Sequence, residues 1–403
     1  MGFLPDASSV PALMFHSVGM ENHPWIWSHL SESINSFDEK IKTLRKWGFK
    51  GVHWADVYEH MAGKKPLSGR SVMLTFDDGY LDNWVFAYPI LKKYGMKGTI
   101  FVTTDFVDPG SEKRFNLDDV WNNRARMEDL QPAGFLNWTE IREMQDSGLI
   151  DIQSHGKTHT WYFSGPKVID FHLPPEISPY PWLFWNERPE RKPHYLTEDQ
   201  QEFLPWGYPI LENGKSLDVR RFFPDSEALK SFLNFIDGNR SKGFFGDSSA
   251  RNQSYNYLQL TYGDHTLPGR FETDEECRIR KTEELVESKK FLEYNLNKKI
   301  DYICWPGGGY DKEVILLAEK AGYKAWTLNS KNNLKKLNKP GDDPCTLKRI
   351  GTSNHINIKG RGHASGGSLF QMLKILSYQD SIFYSFLLKI YKVAAIVLRF
   401  KSC

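Results

Sequence analysis

Thr75-Phe76-Asp77-Asp78-Gly79-Tyr80 is the stretch on which the reading of this chain turns. It follows Val72-Met73-Leu74, an apolar run of the kind that forms a buried strand, so two adjacent carboxylates stand at a strand's end. Like charges that close resist joint ionisation unless a metal or proton chemistry uses them. About 75 residues on, Ser154-His155-Gly156-Lys157-Thr158-His159 places two imidazoles four residues apart, again just after an apolar strand. An Asp-Asp pair and a His-x-x-x-His pair, both at strand ends, suggest a divalent-metal hydrolase.

Other short apolar segments surround these two. Leu13 to His16, Gly51 to His53, Val72 to Phe76, Thr99 to Thr103, Ile150 to Ser154, Tyr302 to Trp305, Ala325 to Leu328 and Leu347 to Ile350 read as strands. Amphipathic stretches lie between them. Ser36 to Trp47 carries Phe37, Ile41 and Leu44 at helical spacing, with Ser36 as a candidate N-cap. Thr273 with Glu276 forms a capping-box pattern, and Lys312 to Ala321 reads as a further helix ended by Gly322. This alternation predicts βα units and a mostly parallel sheet; the expected architecture is a distorted (β/α) barrel of about seven parallel strands.

The alternation breaks between Trp161 and Phe271. This part is rich in Pro and aromatics, as in Pro179-Tyr180-Pro181-Trp182-Leu183-Phe184-Trp185, with a helix expected near Ser226 to Ile236. Structureless loops of that length are rare, so residues 161–272 are expected to form an insertion or cap, its aromatics serving either a ligand or a local core. A different break comes at the end. Ile382 to Phe400 is apolar except for Ser385, Lys389, Lys392 and Arg399, which fall on one side of a helix, and Leu369 to Leu376 adds a shorter apolar run. From Lys348 onward nine Lys/Arg face one acid, Asp380. Residues 368–403 are therefore expected to be an amphipathic helical tail lying on an anionic membrane surface.

The bulk numbers fit a globular protein: 403 residues, 40% hydrophobic, 25% charged. A net charge of +2 gives no general attraction to nucleic acid, and no nucleic-acid partner is expected. Cys277, Cys304, Cys345 and Cys403 lack metal or redox spacing and read as free thiols of a reducing compartment. Met1 to Asp6 has neither a basic nor a long apolar segment, so no secretory signal is read there. The expected location is the cytoplasm, peripherally on the inner face of the membrane.

At the carboxyl ends of barrel strands, loops bring side chains to one point, and His16, Asp77, Asp78, His155 and Pro306 all occupy such places. Two imidazoles and one carboxylate, with water in the fourth position, make an open catalytic site of zinc type. The other carboxylate can take the water's proton, and a further acid must protonate a leaving amine.

Taken together, TFDDGY, SHGKTH and the Trp305-Pro306-Gly307-Gly308-Gly309-Tyr310-Asp311 stretch resemble the NodB-homology polysaccharide deacetylases, carbohydrate esterase family 4. The resemblance covers residues 10–160 and 273–352. It implies that Asp77 is the general base and that Asp78, His155 and His159 hold the metal. Zinc is the expected ion, although two His and one Asp suit several divalent metals. Leu13-Met14-Phe15-His16 is similar to the first strand of the poly-N-acetylglucosamine deacetylases, which implies His16 as general acid in preference to His355 or His363. The family's third motif commonly reads R-x-P-Y-G, its Arg orienting the base and a backbone amide after the Pro holding the oxyanion. Here Cys304 stands in place of that Arg, while Pro306, Gly307 and Gly308 remain as the oxyanion and substrate segment. Arg349, on the last expected strand, is the candidate to orient Asp77.

The resulting expectation is a metal-dependent N-deacetylase of an N-acylated sugar, the partner being a lipid-linked sugar, a glycolipid or a surface-glycan precursor. A deformylase of a lipid-linked aminosugar, a soluble polysaccharide deacetylase and a non-catalytic sugar-binding module are the alternatives. His53, His60, His172, His194 and His265 have no partner pattern and are expected to be structural or exposed.

Overall fold

The computed structural model describes residues 8–174, 178–239, 249–328, 338–352, 355–358, 362–365, 367–378 and 382–398. In chain order, β1 (Ala12–Phe15) leads through the short pair β2 (Ser17–Val18) and β3 (Ser31–Glu32) to α1 (Ile34–Lys46), β4 (Lys50–Val52) and α2 (Trp54–Met61). Then come β5 (Ser71–Phe76), α3 (Tyr88–Tyr94), β6 (Gly98–Val102), α4 (Leu117–Trp121), α5 (Trp138–Asp146) and β7 (Ile150–Ser154). The inserted stretch holds β8 (Trp161–Phe171), α6 (Trp182–Glu187), β9 (Pro209–Lys215), β10 (Phe222–Pro224), α7 (Ser226–Asn239), α8 (Ser249–Tyr262) and β11 (Gly269–Phe271). The chain resumes with α9 (Asp274–Leu296), β12 (Tyr302–Ile303), α10 (Lys312–Lys320), β13 (Ala325–Thr327), β14 (Thr346–Leu347) and β15 (Arg349–Gly351). It ends in the hairpin β16 (His355–Ile358) and β17 (Gly362–Ser365), then α11 (Gly367–Tyr378) and α12 (Ile382–Leu398).

Nine segments form one sheet in the order β14-β13-β12-β7-β6-β5-β1-β15, with β4 pairing on the first half of β5. Every pairing in it is parallel, which gives the expected distorted (β/α) barrel. The strand expected over Leu347 to Ile350 is in fact two. Thr346 and Leu347 pair with β13, and Arg349 to Gly351 pair with β1 at the other end of the sheet. One residue, Lys348, joins them, so the chain kinks where the barrel must close. That split and the separate short β4 bring the strands above the expected seven.

Local capping follows the sequence with one correction. The N-cap of α1 is Ser33, whose side chain accepts from Ser36 N, so the helix starts before Ser36. Ser36 sits in the first turn and donates its hydroxyl to Glu32 (2.6 Å). Thr273 and Glu276 form the reciprocal capping box at the head of α9, and Asp311 caps α10.

The core is built on both faces of β1 and β5. Phe15, Phe37 and Phe76 are buried and form an aromatic trio with ring centroids 5.2, 5.3 and 5.8 Å apart. The insertion has an apolar centre of its own around Val168, Phe171, Phe232, Ile236 and Leu258. Its Trp182–Trp185 segment instead packs with Trp25, Tyr80, Phe106 and Phe135 from the barrel side. The run Leu369 to Leu376 lies in α11, whose Met372, Ile375 and Leu376 are buried in the main core. Among the described residues, α12 exposes Ile382, Phe383, Phe386, Ile390 and Val393.

Phe37→Ala removes a fully buried ring from this trio. It should cost about 3–5 kcal/mol, read as a lower urea midpoint, whereas Leu260→Ala, at an 87% exposed position, should stay within about 0.5 kcal/mol.

Candidate active site

The carboxyl ends of β1, β5, β7, β12 and β15 converge on a cavity of about 410 Å³. Strand β5 delivers Asp77 and Asp78. Asp77 N donates to Phe15 O (3.1 Å), and Asp78 and Gly79 both adopt left-handed backbone (φ 77° and 81°), which turns the chain sharply at the strand's end. A non-glycine residue in that region is strained, and such strain persists where surrounding structure holds it. Strand β7 delivers His155 and His159. Gly156 between them has φ +76°, and a Cβ there would stand 2.9 Å from Pro306 Cγ and 3.0 Å from Glu284 Oε1, so only glycine fits. The buried Glu284 of α9 accepts from Lys157 N and Thr158 N (3.0 and 2.8 Å), which shapes the loop that carries both imidazoles.

Asp78, His155 and His159 come together. Asp78 Oδ1 lies 3.1 Å from His155 Nε2 and 3.2 Å from His159 Nε2, yet among the described residues no well-aligned hydrogen bond reaches this buried oxygen. His155 Nδ1 donates to Cys304 O (2.8 Å), which turns Nε2 toward the carboxylate; burial opposes protonation, but Cys304 and Asp78 outweigh it and raise the imidazole well above its ordinary value. Burial lowers the His159 imidazole to about 4, so it is neutral at pH 7. Burial alone would raise Asp78, but His159 and His155 outweigh it and hold the carboxyl well below the usual range. One carboxylate oxygen and two imidazole nitrogens thus point at one another in a largely buried site. A divalent cation fits this donor set, with ligand atoms within 4.8 Å of one another.

Asp77 faces a different environment. Arg349 clamps it with both arms, Nη1 to Oδ1 at 2.6 Å and Nη2 to Oδ2 at 2.9 Å. Burial pushes Asp77 up, but Arg349, His16 and His155 together keep its carboxyl below the ordinary value. His16 Nε2 stands 3.7 Å from Asp77 Oδ2. The Cys304 thiol touches the same carboxylate (3.6 Å) and accepts from Arg349 Nη2 (3.0 Å). Arg349 also reaches Thr75 Oγ1 (3.3 Å). The cation absent from position 304 is thus supplied from β15.

Pro306 begins a tight turn in which Gly307 and Gly308 have φ of 55° and 72°. Gly308 N and Gly309 N bond Trp305 O and Pro306 O, which leaves the Gly307 N–H outside the turn's own hydrogen bonds. Gly307 and Gly308 line the cavity. Lys215, at the end of β9, donates to Gly307 O from the insertion. His355 and His363 lie on β16 and β17; nothing places their side chains, which fall outside the description.

The sequence had marked the insertion as aromatic without saying which rings matter. Trp27, Trp161, Trp185 and Tyr195 wall the cavity, with Trp27 stacked on Trp161 at 6.0 Å and Trp161 edge-on to His159 at 5.5 Å. Position supplies the only signal for Trp161, two residues after a metal-ligand candidate. The contacts of Thr75, Cys304 and Lys215 needed the fold.

A parallel barrel with two imidazoles, two carboxylates and a glycine turn at its carboxyl end defines a site of hydrolase type. The chain matches the polysaccharide deacetylase family over residues 64–202 and 249–326, more than half its length, and it belongs to that family. Among curated relatives, it is 37% identical over 95 residues (24% of this chain, 32% of the relative) to a Bacillus subtilis protein named putative polysaccharide deacetylase YxkH. It is 28% identical over 150 residues (37% and 20%) to the Escherichia coli poly-beta-1,6-N-acetyl-D-glucosamine N-deacetylase. With the Staphylococcus aureus protein of the same name the figures are 32% over 128 residues (31% and 37%). The chain thus spans 20% to 37% of the length of these relatives. Two solved structures share the fold: a de-N-acetylase from Aggregatibacter actinomycetemcomitans (TM-score 0.51, 18% identity, 85% of this chain and 94% of that one) and the BpsB deacetylase domain from Bordetella bronchiseptica (0.50, 17%, 86% and 97%).

The folded pKa of Asp77 is depressed, so its pairing with Arg349 contributes stability at neutral pH that is lost as pH falls through the folded value. Arg349→Met leaves the buried carboxylate without its clamp and should cost about 3–5 kcal/mol at pH 7. In urea titrations the gap from wild type should narrow as pH drops below the ordinary carboxylate range.

Proposed function

We propose that this protein is a divalent-metal-dependent N-deacetylase of an N-acylated sugar, acting on a lipid-linked sugar or surface-glycan precursor at a membrane. The convergence of Asp78, His155 and His159 beside an Arg-clamped Asp77 carries this reading. The names of the relatives support N-acetylglucosamine as the sugar and acetyl as the group removed.

A divalent ion held by Asp78, His155 and His159 would supply Lewis acidity toward the amide carbonyl and lower the pKa of water. Asp77, kept ionised and oriented by Arg349, takes the proton of the attacking water as its oxygen adds to the carbonyl carbon. The Gly307 N–H is the backbone donor for the carbonyl oxygen as that oxygen gains charge. His16, in its protonated form, gives a proton to the amine nitrogen as the C–N bond breaks, leaving a carboxylic acid and a free amine. The stacked Trp27 and Trp161 offer a flat apolar wall of the kind that sugar rings pack against.

The membrane part of the reading rests on α12. Leu388, Tyr391 and Ala395 pack toward Phe370 of α11. Ile382, Phe386, Ile390 and Val393, one turn apart, are exposed. Lys389 and Lys392 are also exposed and flank that stripe. Among the described residues no helix is long and apolar enough to cross a membrane. An apolar stripe bordered by lysines suits a helix lying in the interface, on an anionic leaflet such as the one facing the cytoplasm.

Asp78→Ala or His155→Ala should lose both the bound divalent metal, read by elemental analysis, and amine release from N-acetylhexosamine substrates. Asp77→Asn should keep the metal and lose about 10²–10⁴ of the rate. Full turnover in any of the three would refute the site. Mass spectrometry of the released acid separates deacetylation from deformylation.

For the membrane reading, Phe386→Asp with Ile390→Asp should abolish flotation with vesicles containing phosphatidylserine. Wild type should float with those vesicles and poorly with pure phosphatidylcholine. Equal flotation of variant and wild type would overturn it.

A further inference from the structure

His16 poses a positioning problem. Its Nε2 is 3.7 Å from Asp77, but among the described residues no hydrogen bond holds the imidazole itself. Its placement must therefore come from its backbone, where the chain passes from β1 to β2. Three consecutive residues there are tied to TFDDGY and the segment that follows it. Phe15 O accepts from Asp77 N (3.1 Å), His16 O accepts from the Asn83 side-chain amide (2.9 Å), and the Ser17 hydroxyl donates to the Asp82 carboxylate. Asn83 Nδ2 also donates to Asp82 Oδ1 (2.7 Å), so both hydrogens of that amide are used. Asp82 and Asn83 are wholly buried. The Ser17 and Ser31 hydroxyls lie 2.9 Å apart, and Ser31 Oγ accepts from Met20 N, which extends the network to β3.

The backbone changes form at the same place. After Asp82 the chain makes a π-helical turn over Asn83–Ala87 before α3. Such turns are rare and recur at functional sites. Burying this carboxylate and amide costs free energy that their hydrogen bonds offset only in part, since Asn83 Oδ1 has no hydrogen-bond partner among the described residues.

We propose that Asn83, held by Asp82, is a positioning residue for His16: it fixes the His16 carbonyl so that the imidazole stands at the leaving amine beside Asp77. The proposal rests on the reading of His16 as the proton donor. It says nothing about metal binding, since neither residue touches Asp78, His155 or His159 in the bonds described above.

A merely structural role would cost stability and act independently of His16, so a double-mutant cycle separates the two. In the metal-loaded enzyme, Asn83→Ala should lower kcat about 10- to 100-fold, with KM and metal content unchanged. It should also move the alkaline limb of the kcat/KM profile that reports the proton donor. In a His16→Ala background the same change should cost nothing further. An equal loss in both backgrounds, or an unchanged limb, refutes positioning and leaves the role of His16 standing. Undiminished turnover of His16→Ala alone refutes the proton-donor reading and this proposal with it. Asp82→Asn, which retains the side-chain volume, gives the same cycle if Asn83→Ala does not accumulate as folded protein.

Discussion

The pairing of Arg349 with Asp77 joins two points 272 residues apart in sequence, and most of the site depends on it. A buried carboxylate alone would protonate; a buried guanidinium alone would be as costly. Together they stay charged, and the forked contact fixes the plane of the carboxylate as well as its ionisation. Asp78, one residue on, has no such cation and faces two imidazoles instead. Adjacent carboxylates that would repel one another are thus divided between a guanidinium and a pair of imidazoles. The different surroundings, more than any difference in residue type, separate their chemistry.

Much of this could be read from sequence because it is local. An apolar strand followed by polar residues is visible as text, and so are the glycine turn after Pro306 and the capping box at Thr273. Periodicity also located α1, but Ser33 and Ser36 are both reasonable caps, and only the backbone at the first turn decides between them. What the text could not carry is closure. Leu347 to Ile350 looks like one strand until both ends of the sheet must be met by neighbouring residues, and the Arg349 contact follows from that split. Asp82 and Asn83 were in plain view after TFDDGYL but resemble an ordinary helix start. The buried network with His16 and Ser17 exists only once β1 lies beside β5.

The insertion and the site are parts of one construction. Strand β8 begins two residues after His159, and β9 returns beside it, pairing Trp161 with Lys215. The same hairpin therefore places a tryptophan against a metal-ligand candidate and a lysine on the carbonyl of the glycine turn. The insertion's own apolar centre around Phe232 makes it a folded wall instead of a loose flap.

The single-residue join at Lys348 has a mechanical meaning. A barrel frays where its sheet ends meet, and here the strand on one side of that seam carries the arginine. For β15 to peel from β1, the guanidinium must leave a carboxylate that is buried with it. Fraying is therefore opposed by charge as well as by the backbone pairing of Ala12 to Met14 with Arg349 to Gly351. The latch that keeps the barrel shut is the same contact that keeps Asp77 ionised, so opening the seam would also release that carboxylate from its clamp.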